Sequence, residues 1–249
     1  MTVKLHNGSI FLHIPKTGGT WVEHVLKALG LYDSAYGHEH ADFDRVLNRD
    51  RFYFGPSLCW HMAKARLRGM NAGGRDETMR KFCFVRNPFS WYESWFKYMS
   101  GLDWKPWGEV NSAAHWHPNS GLNGLGSEDF NEFVWNVVKK RPGYVSELYY
   151  SYTKPGIDYV GRTETLERDL IHILRCLQVE FDEDHLRQIG RKNESKKPKK
   201  ALDWDPEVRR LVEATELPAL IQFGYIEQLS SQYPSALRTL PAHPALIVE

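Results

Sequence analysis

The stretch Ser9-Ile10-Phe11-Leu12-His13-Ile14-Pro15-Lys16-Thr17-Gly18-Gly19-Thr20-Trp21 constrains the fold of this chain more than any other. A short apolar run stopped by proline predicts a buried strand over 9–14. The apolar spacing of Val22, Val25, Leu26 and Leu29, closed by Gly30, predicts a helix over 20–29. A glycine turn between strand and helix cradles anions, because backbone N–H groups close on the ligand and the helix adds its positive end. Lys16 adds one full charge at the centre of that turn. A nucleoside-triphosphate loop carries its lysine after the glycines, as Gly-x-x-x-x-Gly-Lys-Ser/Thr, whereas here the lysine precedes them.

The rest of the chain alternates strand and helix patterns. Strands are predicted over 51–60, 81–85 and 158–161, and helices over 63–69, 87–99, 128–139, 164–177 and 206–216. Residues 31–50 read as polar and irregular, and 100–127 as a long loop rich in glycine, proline and asparagine. A loop of that length inside a compact domain has a functional reason, and 98–127 is read as a lid over an acceptor. The proline-bearing tail after Ser230 is expected to wrap the surface. No repeat or linker divides the 249 residues, so the expectation is one α/β domain over 1–249 with a mostly parallel central sheet.

Composition narrows the function classes. A net charge of +1 gives no broad pull on nucleic acid or acidic membranes, so anion binding must be local. Three scattered cysteines (Cys59, Cys83, Cys176) make no disulfide framework. No apolar leader or span of membrane length is seen, and the expectation is a cytoplasmic protein without a membrane anchor.

A second constellation is Arg86-Asn87-Pro88, at the end of the strand over 81–85, with Ser94 eight positions on in the next helix. An arginine fork at a strand's carboxyl end and a hydroxyl on the adjoining helix can converge on one phosphate. Taken together, Pro15 to Thr20 and the Arg86/Ser94 pair resemble the sulfotransferase family that uses 3′-phosphoadenosine 5′-phosphosulfate, in both its cytosolic and its glycan-modifying branches. The resemblance covers about residues 9–225. It implies a P-loop-NTPase-like three-layer fold with a central, mostly parallel sheet. It further implies that Lys16 touches the bridging oxygen, that Thr17, Gly18, Gly19 and Thr20 hold the 5′-phosphate, and that Arg86 and Ser94 hold the 3′-phosphate. Trp21 would match the tryptophan that stacks on adenine in the cytosolic branch; the alternative is packing against the sheet.

Two later segments extend the resemblance. Gly161-Arg162-Thr163-Glu164-Thr165-Leu166-Glu167 matches an element of the glycan branch, which makes Arg162 and Thr163 candidates for adenine or ribose contacts. Helix capping by Thr163 explains the same residues equally well. The basic run 191–200, with Phe223-Gly224-Tyr225 after it, is arranged like a late donor loop, so Asn193, Ser195, Lys196 and Lys197 are carried over as donor contacts. A solvated basic loop is the alternative.

Transfer to a hydroxyl or amine needs a group that takes the acceptor's proton. His61, at the expected end of the strand over 51–60, is the candidate base, with Glu23, His24 and the pair His38/His40 as alternatives. His38-Glu39-His40 and His115-Trp116-His117 have no further ligand at metal spacing, so no metal is expected. Tyr98, Trp104, Trp107 and Trp116 are candidate acceptor contacts, for a saccharide or a planar small molecule. The expected reaction is in-line transfer of a sulfuryl group. The rivals are a phosphotransferase and a non-catalytic nucleotide- or carbohydrate-binding module.

Overall fold

The computed structural model describes residues 1–47, 79–106, 117–190, 202–225 and 246–247. The elements expected over 51–60 and 63–69 and the basic run 191–200 lie outside these residues.

The strands are β1 (Val3–Leu5), β2 (Ile10–Leu12), β3 (Tyr32–Ala35), β4 (Lys81–Val85), β5 (Tyr159–Arg162) and β6 (Leu246–Ile247). They form one sheet in the order β3-β1-β2-β4-β5-β6. β2/β4, β4/β5 and β5/β6 pair parallel, while β1 runs antiparallel to both β2 and β3. The sheet is therefore mixed, with a parallel centre. The sequence reading missed β1 and β3; β3 (Tyr-Asp-Ser-Ala) is the mostly exposed edge strand, and three-residue β1 lies between it and β2.

The helices are α1 (Gly19–Ala28), α2 (Phe43–Leu47), α3 (Pro88–Ser100), α4 (Phe130–Lys140), α5 (Tyr144–Thr153), α6 (Leu166–Cys176), α7 (Glu183–Gln188), α8 (Pro206–Thr215) and α9 (Leu217–Gln222). Short 3-10 turns occupy Pro118–Leu122 and Thr163–Thr165. Several helices start where local chemistry dictates. Asn87 accepts from Phe89 N ahead of Pro88, Asp129 accepts from Glu132 N, and Asp205 accepts from the N–H groups of Glu207 and Val208 ahead of Pro206. None of the helices among the described residues is long and apolar enough to cross a membrane.

The central strands are buried on both faces, and their period-two alternation separates two cores. Phe11, Phe82 and Phe84 pack with Trp21, Val22, Val25 and Leu26 of α1 and Leu166, Leu170, Ile173 and Leu174 of α6. Ile10, Leu12, Cys83 and Val85 point the other way, into a larger core with Trp91, Tyr92 and Trp95 of α3, Phe133 and Val137 of α4, and Tyr149 and Tyr152 of α5. This alternation fixes which strand ends face outward together. The carboxyl ends of β2, β4 and β5 lie side by side, because those strands are adjacent and parallel.

α5 was not expected from sequence. Its residues, Tyr-Val-Ser-Glu-Leu-Tyr-Tyr-Ser-Tyr-Thr, include few strong helix formers, and Gly143 before it supplies no capping side chain. The cap comes from the fully buried Glu216, whose carboxylate accepts from Val145 N at 3.0 Å, Ser146 N at 2.8 Å and Tyr92 Oη at 2.8 Å. A negative charge at a helix N-terminus that also satisfies the free N–H groups stabilises the first turn.

Candidate functional site

Three loops leave the adjacent strand ends. The first, between β2 and α1, turns sharply. Lys16 has φ 69° and Gly18 φ 85°, both in the left-handed region. Gly19 opens the helix against the His13 ring, where a Cβ would stand 2.0 Å from Cδ2. Any side chain there would displace His13, so the cradle requires glycine at that position.

The loop is pinned by main-chain carbonyl contacts. Trp91 Nε1 donates to Pro15 O at 3.0 Å, Arg86 Nη1 donates to Lys16 O at 3.3 Å, and Thr17 Oγ1 donates to Ile14 O at 2.9 Å. Thr163 Oγ1 lies 2.9 Å from both Thr17 O and Val85 O, so one hydroxyl joins all three strand ends. That is its observed role; neither the short turn it opens nor α6 behind it has a side-chain cap. Thr17 likewise turns its hydroxyl to the backbone, and Thr20 is exposed.

Three cations stand at these ends: Lys16 after β2, Arg86 after β4 and Arg162 at the end of β5. None of the three is ion-paired among the described residues, although Arg45, Arg80, Arg141, Arg168, Arg175 and Arg187 all have carboxylate partners. Arg162 Nε is also buried without a hydrogen-bond partner. Its backbone N–H donates to the fully buried Asp169 at 2.8 Å, which fixes the strand end and leaves the guanidinium uncommitted. Burial, and next the Arg86 charge, lower the Lys16 pKa from 10.5 to about 8. Half-buried cations without an ion-pair partner are groups that could hold an anion.

Around the Arg162 loop, Glu164 accepts from Asn87 N at 2.8 Å and from Tyr225 Oη at 2.9 Å. The Phe223-Gly224-Tyr225 segment thus closes over β5, and a Cβ on Gly224 would lie 3.5 Å from Arg162 Nη1.

α3 presents Trp91, Ser94, Trp95 and Tyr98 along one face, at helical spacing. Trp91 reaches Pro15, and the Lys16 ammonium lies 4.1 Å from the Tyr98 ring centroid. Ser94, buried, lies on this same face between the two contacts.

Next to Lys16 is a buried histidine cluster that the sequence reading did not assemble. The His40 ring lies 4.6 Å from His13 and 4.8 Å from His117, edge to face. His40 Nδ1 lies 3.1 Å from His13 O, and His117 stacks on Trp95 at 6.0 Å. Burial is the leading cause that depresses all three pKa values, His40 to about 4 and His117 to about 2, so each imidazole is neutral at pH 7. Trp95 Nε1 and Asn119 Nδ2 are buried here without partners. His13 and His40 lie far apart in sequence from His117, so no local spacing signals the cluster.

The structure corrects or leaves aside several sequence expectations. Trp21 is 3% exposed and packs in the α1/α6 core, so of its two alternatives sheet packing is observed and its ring offers no open face. Trp104, read as an acceptor contact, is half-buried and packs against the larger core, on Phe96 at 5.7 Å and Phe133 at 5.0 Å with Gly126 against its ring. The alternative base Glu23 is tied to Lys27 at 2.6 Å and to the Met1 amino group at 2.9 Å. His61, Trp107, Trp116, Asn193, Ser195, Lys196 and Lys197 lie outside the described residues. Among the described residues, no cluster of three or more His, Cys, Asp or Glu side chains could hold a metal ion. Compared with protein-family models, curated proteins and solved structures, the chain matches none.

Proposed function

We propose that this chain is a sulfotransferase that uses 3′-phosphoadenosine 5′-phosphosulfate and acts on a hydroxyl or amine of a saccharide or small molecule. One observation carries the reading: Lys16, Arg86 and Arg162 stand at the carboxyl ends of β2, β4 and β5, without an ion pair among the described residues, beside the N-terminus of α1. A P-loop-like fold is part of the same proposal, and ligands of open α/β sheets bind at such strand ends.

The residues present fit this donor. It carries negative charge at two separated positions, and two separate cationic loops await it. Gly18 and Gly19 give backbone N–H groups access to one phosphate, and Arg86 with Ser94 takes the other. Arg162, with its buried unpartnered Nε, lies beside the closing Gly224-Tyr225 segment, where a base and ribose would be held. The donor supplies a sulfuryl group on a phosphate leaving group. Lys16 offsets the charge that develops on that leaving oxygen, which is where fixed positive charge accelerates transfer. The acceptor oxygen forms its bond to sulfur as the sulfur–oxygen bond to phosphate breaks, and its proton passes to a base. His61 is the proposed base, with His40, buried beside His13 at the loop, as the alternative within the described residues.

A phosphotransferase is the weaker reading, because β4 ends in Val85-Arg86 where a magnesium-holding carboxylate would be needed. The test is a melting experiment followed by transfer of labelled sulfate. Adenosine 3′,5′-bisphosphate without metal should raise Tm, and ATP with magnesium should not. The opposite pattern selects the phosphotransferase. Binding without label transfer to any acceptor in a broad panel selects the non-catalytic module.

A further inference from the structure

Lys16 faces two influences that disfavour its charge. It is largely desolvated, and Arg86 approaches from the end of β4. A carboxylate is the usual remedy for a buried ammonium, but its negative charge would repel an anionic ligand from the same spot. The contact made instead is with an aromatic face. Tyr98, on the last turn of α3, sets its ring centroid 4.1 Å from Lys16 Nζ. The ring in turn tilts against Trp95 at 5.7 Å, and Trp95 stacks on Trp91 at 5.8 Å. Trp91 Nε1 then holds Pro15 O at 3.0 Å. The chain Pro15–Trp91–Trp95–Tyr98 therefore closes on itself through Lys16: the helix that anchors the loop backbone also carries the ring that receives the loop's side chain.

We infer that Tyr98 is the positioning residue of Lys16, its ring holding the ammonium charged and aimed over the cradle without adding negative charge to an anion site. This assigns Tyr98 a role other than acceptor stacking, since the lysine already occupies one of its faces. A ring quadrupole stabilises a cation by about 0.5–2 kcal/mol, depending on desolvation. The ring, and not the phenol hydroxyl, makes the contact, so phenylalanine should replace tyrosine and leucine should not. Burial, and next the Glu39 charge, raise the pKa of the Tyr98 phenol. His40 packs against His13 and His117 against Trp95.

The importance of this contact rests on the donor reading, but the first test does not use a donor. Competitive labelling with acetic anhydride, read by mass spectrometry at Lys16, measures how much free amine is present at pH 7. Tyr98→Phe should label like wild type. Tyr98→Leu should label roughly three to ten times faster, the population change expected for loss of one cation–π contact. Tyr98 is exposed enough for leucine, a good helix former, to be accommodated without refolding α3.

The second arm measures adenosine 3′,5′-bisphosphate affinity by calorimetry at pH 6.5 and pH 8.5. A positioning role predicts that Tyr98→Leu weakens binding several-fold more at pH 8.5, where wild-type and variant lysines differ in charge, than at pH 6.5. Equal losses at both pH values, or wild-type labelling by Tyr98→Leu, would overturn the inference, as would Tyr98→Phe behaving like leucine. Failure of the donor reading has a different signature: no bisphosphate binding by wild type, with the labelling result intact.

Discussion

The Arg86 guanidinium donates through Nη1 to the main-chain carbonyl of Lys16 at 3.3 Å. Two cationic residues 70 positions apart are thereby coupled: one fixes the backbone of the other, and its charge lowers the other's pKa. Tyr149 holds Arg86 in turn, its hydroxyl donating to Arg86 O at 2.7 Å and accepting from Arg86 N at 3.1 Å.

This coupling separates two substitutions. Lys16→Ala removes a charge from the proposed reacting centre and leaves the loop backbone tied, so label transfer should be lost while bisphosphate affinity falls only about tenfold. Arg86→Ala removes a ligand fork and a backbone tie together, so bisphosphate affinity should fall about 100-fold and stability by about 1 kcal/mol. Calorimetric titration and thermal melting of the two proteins check this. Equal affinity losses would mean that Arg86 has no special part in holding the donor.

The Lys16 pKa of about 8 sets a pH dependence of known sign. The folded value lies below the unfolded one of 10.5, so the unfolded chain holds more protons between these values. Desolvated charge on Lys16 therefore costs stability below pH 8, and the cost is relieved as pH rises toward 10.5. A bound phosphate favours the charged lysine and reverses the preference. Bisphosphate binding should weaken above about pH 8 and take up a proton there, seen as an enthalpy that varies with buffer ionisation heat. Lys16→Arg should abolish the proton uptake, because arginine stays charged throughout that range.

The histidine cluster sets an acid limit. His13, His40 and His117 have folded pKa values below the unfolded value of 6.5, reaching about 4 at His40. Stability carried by neutral imidazoles is full above pH 6.5 and is lost as pH falls through the window toward 4, where the unfolded chain binds more protons. Melting temperature should fall across that window more steeply in wild type than in His40→Gln. Identical slopes would assign the acid sensitivity to other groups.

Glu216 is the structural counterpart of the site cations, a buried charge that is fully satisfied. Tyr92 Oη, Val145 N, Ser146 N and Ser146 Oγ all donate to its carboxylate, the last at 2.8 Å. Glu216→Ala leaves these donors unpaired inside the core and uncaps α5, and should cost about 3 kcal/mol. For a chain of this size that lowers Tm by about 6–12 °C. Since α5 carries Tyr149, which holds Arg86, bisphosphate affinity should fall as well.

Local pattern was sufficient to read β2, α1, β4, α3 and α6, because each has its apolar spacing, glycine stop or proline start within its own residues. The Lys16 loop and Arg86 were legible for the same reason: a turn at the end of a buried parallel strand must present its residues at the sheet's carboxyl edge. The short strands β1 and β3 and helix α5 were not legible. Their definition comes from partners distant in sequence, strand pairing in two cases and the Glu216 carboxylate in the third.

What the sequence determined alone is a glycine turn with a lysine ahead of its glycines, a second cationic strand end, and an α/β chain to carry them. The tertiary structure decided which side chains are available to it. Trp21 went into a core and Trp104 packed against one, because a large aromatic surface gains more from burial than a loop position can return. Thr163 joined three strand ends, since free carbonyls meet there. Lys16 received an aromatic partner, Tyr98, and among the described residues no carboxylate. Period and motif fix which chain positions meet the sheet edge, but only packing fixes which polar groups are used up by the protein and which remain for a ligand.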